Sequence, residues 1–204
     1  MNLHKFSLAS AAVIVLIWLG LAPVSAAPAT VQEAMSERVL GTADAPVTII
    51  EFASLTCPHC KDFEVNVLPK LKTAYIDTGK VKLVYRDFPL DGRALLAAMT
   101  ARCAPKDRYF AFLDALFRGQ DSWARAQDTT QALGQVARLG GMSQADFDAC
   151  IKNQALFEAI KKDATDAQQQ YKIESTPTFI INGKKMDGAH TFESFEAALK
   201  PLLK

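Results

Sequence analysis

The sequence predicts an α/β fold, a mixed sheet flanked by helices with a helical insertion between the second and third core strands. Three observations carry this. Two short β-rich runs, 45–54 and 80–88, enclose a stretch whose apolar residues fall at helical spacing. Residues 91–172 then read as one helix after another, too long a block for a loop. A β-rich run returns at 176–183 and an amphipathic helix closes the chain. The 204 residues suffice for one sizeable domain with an insertion. A formal net charge of +1 gives no electrostatic reason to expect a nucleic-acid partner.

The N-terminus has a different composition. Lys5 supplies a positive start, Ala11–Ala22 is apolar, and Ser25, Ala26 and Ala27 are small. This is the layout of a secretory signal peptide over 1–26, cleaved after Ala26. A membrane span needs about 20 apolar residues, more than this run offers. Residues 27–44 are small and polar and read as a leader, with Met35–Leu40 open to a short helix or strand. The domain itself is expected at 45–204, with its helical insert at about 91–172.

The first core strand is APVTIIEFAS, 45–54, where Val47, Ile49, Ile50 and Phe52 suit a strand covered on both faces. Phe63, Val67, Leu68, Leu71 and Tyr75 then mark a helix, with a kink expected at Pro69. KVKLVYRDF, 80–88, is the second strand, completing a βαβ unit. Within the insert, Pro105 separates two apolar-faced helices, Gly140-Gly141 ends a third, and Ser143 with Asp146 opens a fourth in a capping-box arrangement. Asn182-Gly183 between FII and KKM is a hairpin signal, and Thr191–Leu203 is the closing helix. Trp123 and His190 read as packing or surface residues. Lys61 and the KKD run at 161–163 read as solvated helix faces.

LTCPHCKDFE, 55–64, carries the chemistry. Cys57 falls where a strand ends and a helix begins, so unpaired backbone N–H groups favour its thiolate, the reactive form. Cys60, one turn on, is close enough to form a disulfide. Pro58 stiffens a position where its missing N–H costs little, and His59 would stabilise the thiolate if protonated or donating. Three uses are open at this point. Zinc needs two further ligands, which the sequence does not group nearby. A purely structural disulfide across so short a loop removes little chain entropy. A redox pair fits best, since C-x-x-C between a strand and a helix is a redox signature. Glu51, inside the apolar first strand, is either a buried acid or a solvent-facing strand-end residue. Cys103 and Cys150 read as a disulfide stapling two insert helices, in preference to a second redox pair. That bridge would close a loop worth about 4 kcal/mol in the chain-entropy model.

EFASLTCPHC at 51–60, the helical insertion after the second strand and TPTFIING at 176–183 together resemble the thioredoxin-like superfamily, in its DsbA type of exported thiol:disulfide oxidoreductase. The resemblance covers about 45–204. It implies that Cys57 is an exposed nucleophile forming the mixed disulfide with substrate, and that Cys60 is its buried partner. It implies that Pro177 is a cis-proline beside the site, that Thr176 and Pro177 bind substrate backbone, and that Glu51 is a buried acid assisting proton transfer at Cys60. It does not assign the Cys103–Cys150 pair.

The function so implied is introduction of disulfides into exported proteins in the periplasm, with reduced or misoxidised exported proteins as substrates and a DsbB-type membrane protein as reoxidant. No cofactor or metal is implied, and a monomer is expected. Thr176 departs from the valine found in the best-known oxidases and matches isomerases of the related DsbC type, which keeps an isomerase or reductase reading alive. About 18 residues between the signal and the first strand are too few for the dimerisation domain of such isomerases. A non-enzymatic module holding a soft ion such as Cu(I) on Cys57 and Cys60 is the alternative from another class.

Overall fold

The computed structural model describes residues 30–203, so the signal-peptide residues lie outside it. A five-stranded sheet runs in the order β1-β3-β2-β4-β5. Its centre is β2 (Val47–Ala53), parallel to β3 (Val81–Asp87) and antiparallel to β4 (Thr178–Ile181). Glu51 therefore stands between Tyr85 and Phe179 on neighbouring strands.

Residues 30–44 carry two short elements of their own. Thr30 caps α1 (Val31–Ala34) through a reciprocal box with Glu33, and β1 (Arg38–Leu40) adds an antiparallel edge strand to β3. Three residues are too few to display an alternating pattern, and the inward residue of β1 is an arginine, which composition alone places outside. Arg38 is nonetheless 2 % exposed. Its guanidinium donates to the Ala34 carbonyl at 3.1 Å and lies 4.7 Å from the centre of the Tyr109 ring. Arg102 lies over the same ring at 5.4 Å. It bonds Asp87 at 2.6 Å and donates to the carbonyls of Ala34 and Ser36. The N-terminal segment is thereby bolted to β3 and to the helical insert.

Strand alternation explains why both central runs are apolar almost throughout. Val47, Ile49, Val81, Leu83, Tyr85, Phe179 and Ile181 join the main core with Phe63, Leu71, Phe195 and Leu199. Phe52 and Ile180 face the other way, against Ala167, Tyr171 and Ile173 at the end of the last insert helix.

From Pro58 the chain is helical to Ile76, as α2 (Pro58–Asp62), a π-helical turn Phe63–Val67, α3 (Leu68–Leu71) and a second π-helical turn Lys72–Ile76. The interruption expected at Pro69 takes the form of the first wide turn. Leu68 N–H donates to the Phe63 carbonyl five residues back, immediately before the residue with no N–H to give. The insert follows as α4 (Gly92–Arg102), α5 (Tyr109–Arg118), α6 (Gln120–Trp123), α7 (Thr129–Leu139), α8 (Gln144–Ile151) and α9 (Gln154–Tyr171). Asp91, Asp128, Ser143 and Asn153 cap four of these by accepting a backbone N–H. Trp123 is buried and its indole N–H donates to the Leu116 carbonyl at 2.7 Å. The chain returns through β4, turns at Asn182 and Gly183, both at positive φ (44° and 83°), and pairs β5 (Lys184–Lys185) with β4. The Asn182 side chain accepts the Thr48 N–H at 2.9 Å and fastens the turn to β2. Thr191 caps α10 (Phe192–Leu199), which packs beside α3. No helix among the described residues is long and apolar enough to cross a membrane.

Cys103 at the end of α4 and Cys150 in α8 form a disulfide with Cα atoms 6.1 Å apart and a sequence separation of 47. Replacing both by alanine is expected to lower the unfolding free energy in guanidinium by about 2–4 kcal/mol. The reactivity of Cys57 should stay unchanged in the same variant, as read by its alkylation rate.

Candidate active site

Cys57 is the N-cap of α2 in extended backbone conformation (φ −78°, ψ 121°), with Pro58 at the first helical position. The loop leading to it is tied on three sides. Cys57 N–H donates to the Ser54 carbonyl at 3.0 Å. The Thr56 hydroxyl donates to Asp91 at 2.8 Å, and Asp91 also caps α4. The buried Gln120 side chain reaches across from α6 to donate to the Leu55 and Cys57 carbonyls at 2.7 and 3.0 Å. Gln120 is a positioning residue that no motif announces, because its partners are carbonyls of a distant loop.

The cis Thr176–Pro177 peptide lies opposite. The Cys57 sulfur lies 3.3 Å from the Thr176 carbonyl oxygen, to which it donates only while it is a protonated thiol. This contact, with the Gln120 clamp behind, leaves Cys57 only 6 % exposed, where the resemblance implied an open nucleophile. Cys60 is fully buried. Both are free thiols.

Their protonation is driven in opposite directions. The Cys60 thiol donates to Cys57 and lowers its pKa, opposed by partial burial and helped by the Thr176 hydroxyl and by the backbone N–H groups of Cys60 and His59. The result is a pKa of about 5. Burial raises Cys60 far above the ordinary thiol range, reinforced by the Cys57 thiolate and by Glu51. At neutral pH the pair is therefore one thiolate and one thiol. His59 contributes to this through its backbone, as the second N–H of the opening turn.

Glu51 is fully buried on the strand leading to the site, and neither of its carboxyl oxygens bonds a protein group. Its pKa is raised well above the carboxylate range, first by burial and then by Glu64. Glu64 is 6 % exposed and also raised by burial. Two like acids sharing an apolar site disfavour each other's ionisation, so both stay protonated further up the pH scale. Glu64 was legible in principle, since 60, 64, 67 and 71 form one helical stripe, but apolar residues alone define such a stripe in a sequence.

A groove of about 370 Å³ runs beside the thiols, lined by His59, Asp62, Phe63, Ser175, Thr176, Pro177, His190 and Thr191. His190 is thus a site residue rather than a remote packing residue. Its ring stands edge-on to Phe179 at 4.8 Å, and burial and His59 lower its pKa. On the other side of Pro58 a polar cleft of about 390 Å³ contains Lys61, Arg93 and Asp121. Lys61 is ion-paired to Asp121 there, not simply solvated. Among the described residues, no three His, Cys, Asp or Glu side chains are grouped so as to hold a metal ion.

A thioredoxin family model matches residues 33–201, which includes β1. A Rickettsia bellii protein whose inferred role is protein-disulfide oxidoreductase is 28 % identical over 165 residues, covering 80 % of this chain and 63 % of the relative. The disulfide bond formation protein D of Bacillus subtilis is 28 % identical over 173 residues, covering 82 % of this chain and 78 % of its own length. The crystal structure of alpha-DsbA1 from Wolbachia pipientis superposes with a TM-score of 0.77 at 36 % identity, covering 83 % of this chain and 92 % of that one. The chain spans 55–63 % of the length of the Rickettsia relatives it matches. With a family model matching residues 33–201 and a Cys-Pro-His-Cys pair at the start of α2, the chain belongs to the thioredoxin family, in its DsbA-type branch.

Proposed function

We propose that this chain is an exported oxidase that introduces disulfides into other exported proteins by exchange at Cys57–Cys60. The observation that carries the reading is the opposed protonation of the two sulfurs. A Cys57 thiolate held near pKa 5 beside a protonated Cys60 stabilises the dithiol form. A disulfide whose reduced form is stabilised is given away readily. The name of the Bacillus subtilis relative, a disulfide bond formation protein, supports disulfide formation as the activity. The apolar run of Ala11–Ala22 and the small residues after it support export to the periplasm.

A substrate thiolate attacks the Cys57 sulfur, the Cys57–Cys60 bond breaks, and its electron pair goes to Cys60, which takes up a proton. The second substrate thiolate attacks its own mixed-disulfide sulfur, the substrate leaves oxidised, and Cys57 departs as a thiolate. Two electrons have passed to the protein. A DsbB-type membrane protein would take them away, and the protein acts as a monomer. Glu51, with Glu64 behind it, supplies and accepts the Cys60 proton. The groove beside Thr176 and Pro177 receives the substrate chain.

Thr176 favours a second reading. Its hydroxyl is buried beside the nucleophile, and threonine at this place is the feature that resembles isomerases of the DsbC type. The equilibrium potential of Cys57–Cys60 in glutathione buffers separates the two. An oxidase gives a value well above about −270 mV, the thioredoxin level, and a value near that level overturns the oxidase reading in favour of the reductive one.

Alkylation of Cys57 by iodoacetamide should titrate with a midpoint near pH 5, and Cys57→Ser should abolish both alkylation and exchange. The same ionisation sets a stability difference between reduced and oxidised protein. A lowered folded-state pKa means that the folded dithiol binds fewer protons than the unfolded chain between pH 5 and 9. The advantage of the reduced form in urea melts is therefore expected to vanish below pH 5, rise through that window and peak near 9, above which the raised pKa of Cys60 reverses the slope.

The buried acids have the opposite sign. Their raised pKa values favour the folded state at low pH, and that contribution is lost as pH rises above 4.5. Glu64→Gln should be more stable than the parent at neutral pH by about 1–3 kcal/mol. The gain should shrink towards pH 4.5 in the same melts.

A further inference from the structure

Two depressions meet at Cys57. Its chain neighbours Thr56 and Pro58 line the polar cleft of about 390 Å³, whereas His59, Thr176 and Pro177 line the groove of about 370 Å³ on the other side. The two differ in charge. In the groove, Asp62 is the one formally charged side chain besides two histidines. The cleft holds three cations, Lys61, Arg93 and Arg125, against two carboxylates, Asp91 and Asp121.

Both carboxylates are already committed. Asp121 is shared by Lys61 and by Arg125 at 3.4 Å, and its hydrogen bond from Lys61 holds it below the usual carboxylate range. Asp91 accepts the Thr56 hydroxyl at 2.8 Å and the Ala94 N–H at 2.8 Å. Arg93 is left over. It lies in the first turn of α4, is exposed, donates to the Ala124 carbonyl and, among the described residues, pairs with no carboxylate. A guanidinium presents a planar fork of several N–H donors, so one bond to a carbonyl leaves others for a ligand. That fork matches a carboxylate, which it can bond through both oxygens.

The cleft is also held in register with the reactive sulfur. Its walls are the groups that set the Cys57 loop. Asp91 ties Thr56 to the start of α4, and Gln120 clamps the Cys57 carbonyl from α6 at 3.0 Å. Arg93, on the same first turn of α4, therefore keeps a fixed place relative to Cys57. Charges at the rim of a binding site act on encounter rate and partner choice more than on total affinity.

We propose that this cleft is a subsite for an acidic side chain, aspartate or glutamate, close to the reacting cysteine of the substrate, with Arg93 as the residue that selects it. The inference deepens the exchange reading of Cys57–Cys60 and rests on it. A peptide seated in the groove beside Thr176 and Pro177, with its cysteine at Cys57, runs on past Pro58, and its next side chains meet the cleft. A carboxylate there pairs with Arg93, whereas a lysine there meets three cations. Substrates are thereby sorted by the charge on one flank of the cysteine, and the covalent steps stay as described above.

The oxidised mature chain is mixed with short dithiol peptides that carry Glu, Gln or Lys two residues before or after the cysteines. Second-order rates of reduction of Cys57–Cys60 are read by acid quench and mass spectrometry. Each rate is divided by that of the same peptide with a small neutral disulfide, because a neighbouring carboxylate also raises the pKa of the peptide thiol. At one of the two positions, Glu is expected to react about three- to fivefold faster than Gln in low salt, with Lys slower than Gln. The order should collapse in about 0.5 M salt. Arg93→Glu inverts the order and Arg93→Lys retains it. Lys184→Glu, on the β4–β5 hairpin outside both depressions, changes the net charge equally and keeps the parental order. A merely structural role for the Arg93–Ala124 contact slows every peptide alike, and that result overturns the proposal, as does an order that Lys184→Glu disturbs as much as Arg93→Glu. Parent protein that reacts with no peptide overturns the oxidoreductase reading and the subsite together, whereas parent protein that reacts without regard to charge overturns the subsite alone.

Discussion

The Cys60 thiol hydrogen bond to the Cys57 thiolate is the contact on which the rest of the site depends. It is strongest while one sulfur is charged and the other is not. Every nearby feature favours that asymmetry. The opening turn of α2 aims the N–H groups of His59 and Cys60 at the outer sulfur, and the core closes over the inner one. Gln120 and Asp91, both from the insert, hold the approaching loop at the angle that makes Cys57 an N-cap. The insert is thus part of the apparatus that shapes the thiolate, besides forming one wall of the cleft beside Pro58.

The same asymmetry explains an otherwise costly choice in the core. Two carboxyl groups beneath the inner sulfur weaken the folded state at neutral pH. Hydrophobic replacements would pack there without that penalty, but they could not exchange a proton with a group as buried as Cys60. Stability is given up locally for chemistry, and the Arg102–Asp87 bond, the Arg38 and Arg102 stack on Tyr109 and the Cys103–Cys150 bridge hold the surrounding shell rigid.

The main architecture was legible because β2, β3 and the insert helices obey their periods over many residues. Cys57 and Cys60 were legible because spacing and position both point to redox chemistry. What escaped has physical reasons. Strand β1 is three residues long and turns an arginine inward, so neither length nor hydropathy marks it. Glu64 sits on an apolar stripe that a hydropathy count interrupts at that residue. His190 reaches the groove from the loop after a hairpin, and its neighbourhood with His59 exists only in three dimensions. Exposure of Cys57 was overestimated because its cover comes from Thr176, 119 residues away.

The pairing of β2 with β4 has a consequence in time. Ile49 meets Ile181 and Phe52 meets Thr178 across almost the whole length of the domain. A chain emerging from its N-terminus presents Cys57 and Cys60 long before Thr176 and β4 exist to close over them. Until then neither sulfur has its native surroundings, and Cys57 has the acidity of an ordinary peptide thiol. The reactive thiolate is therefore acquired at the end of synthesis, so the incomplete chain is poorly armed to attack its neighbours as it appears.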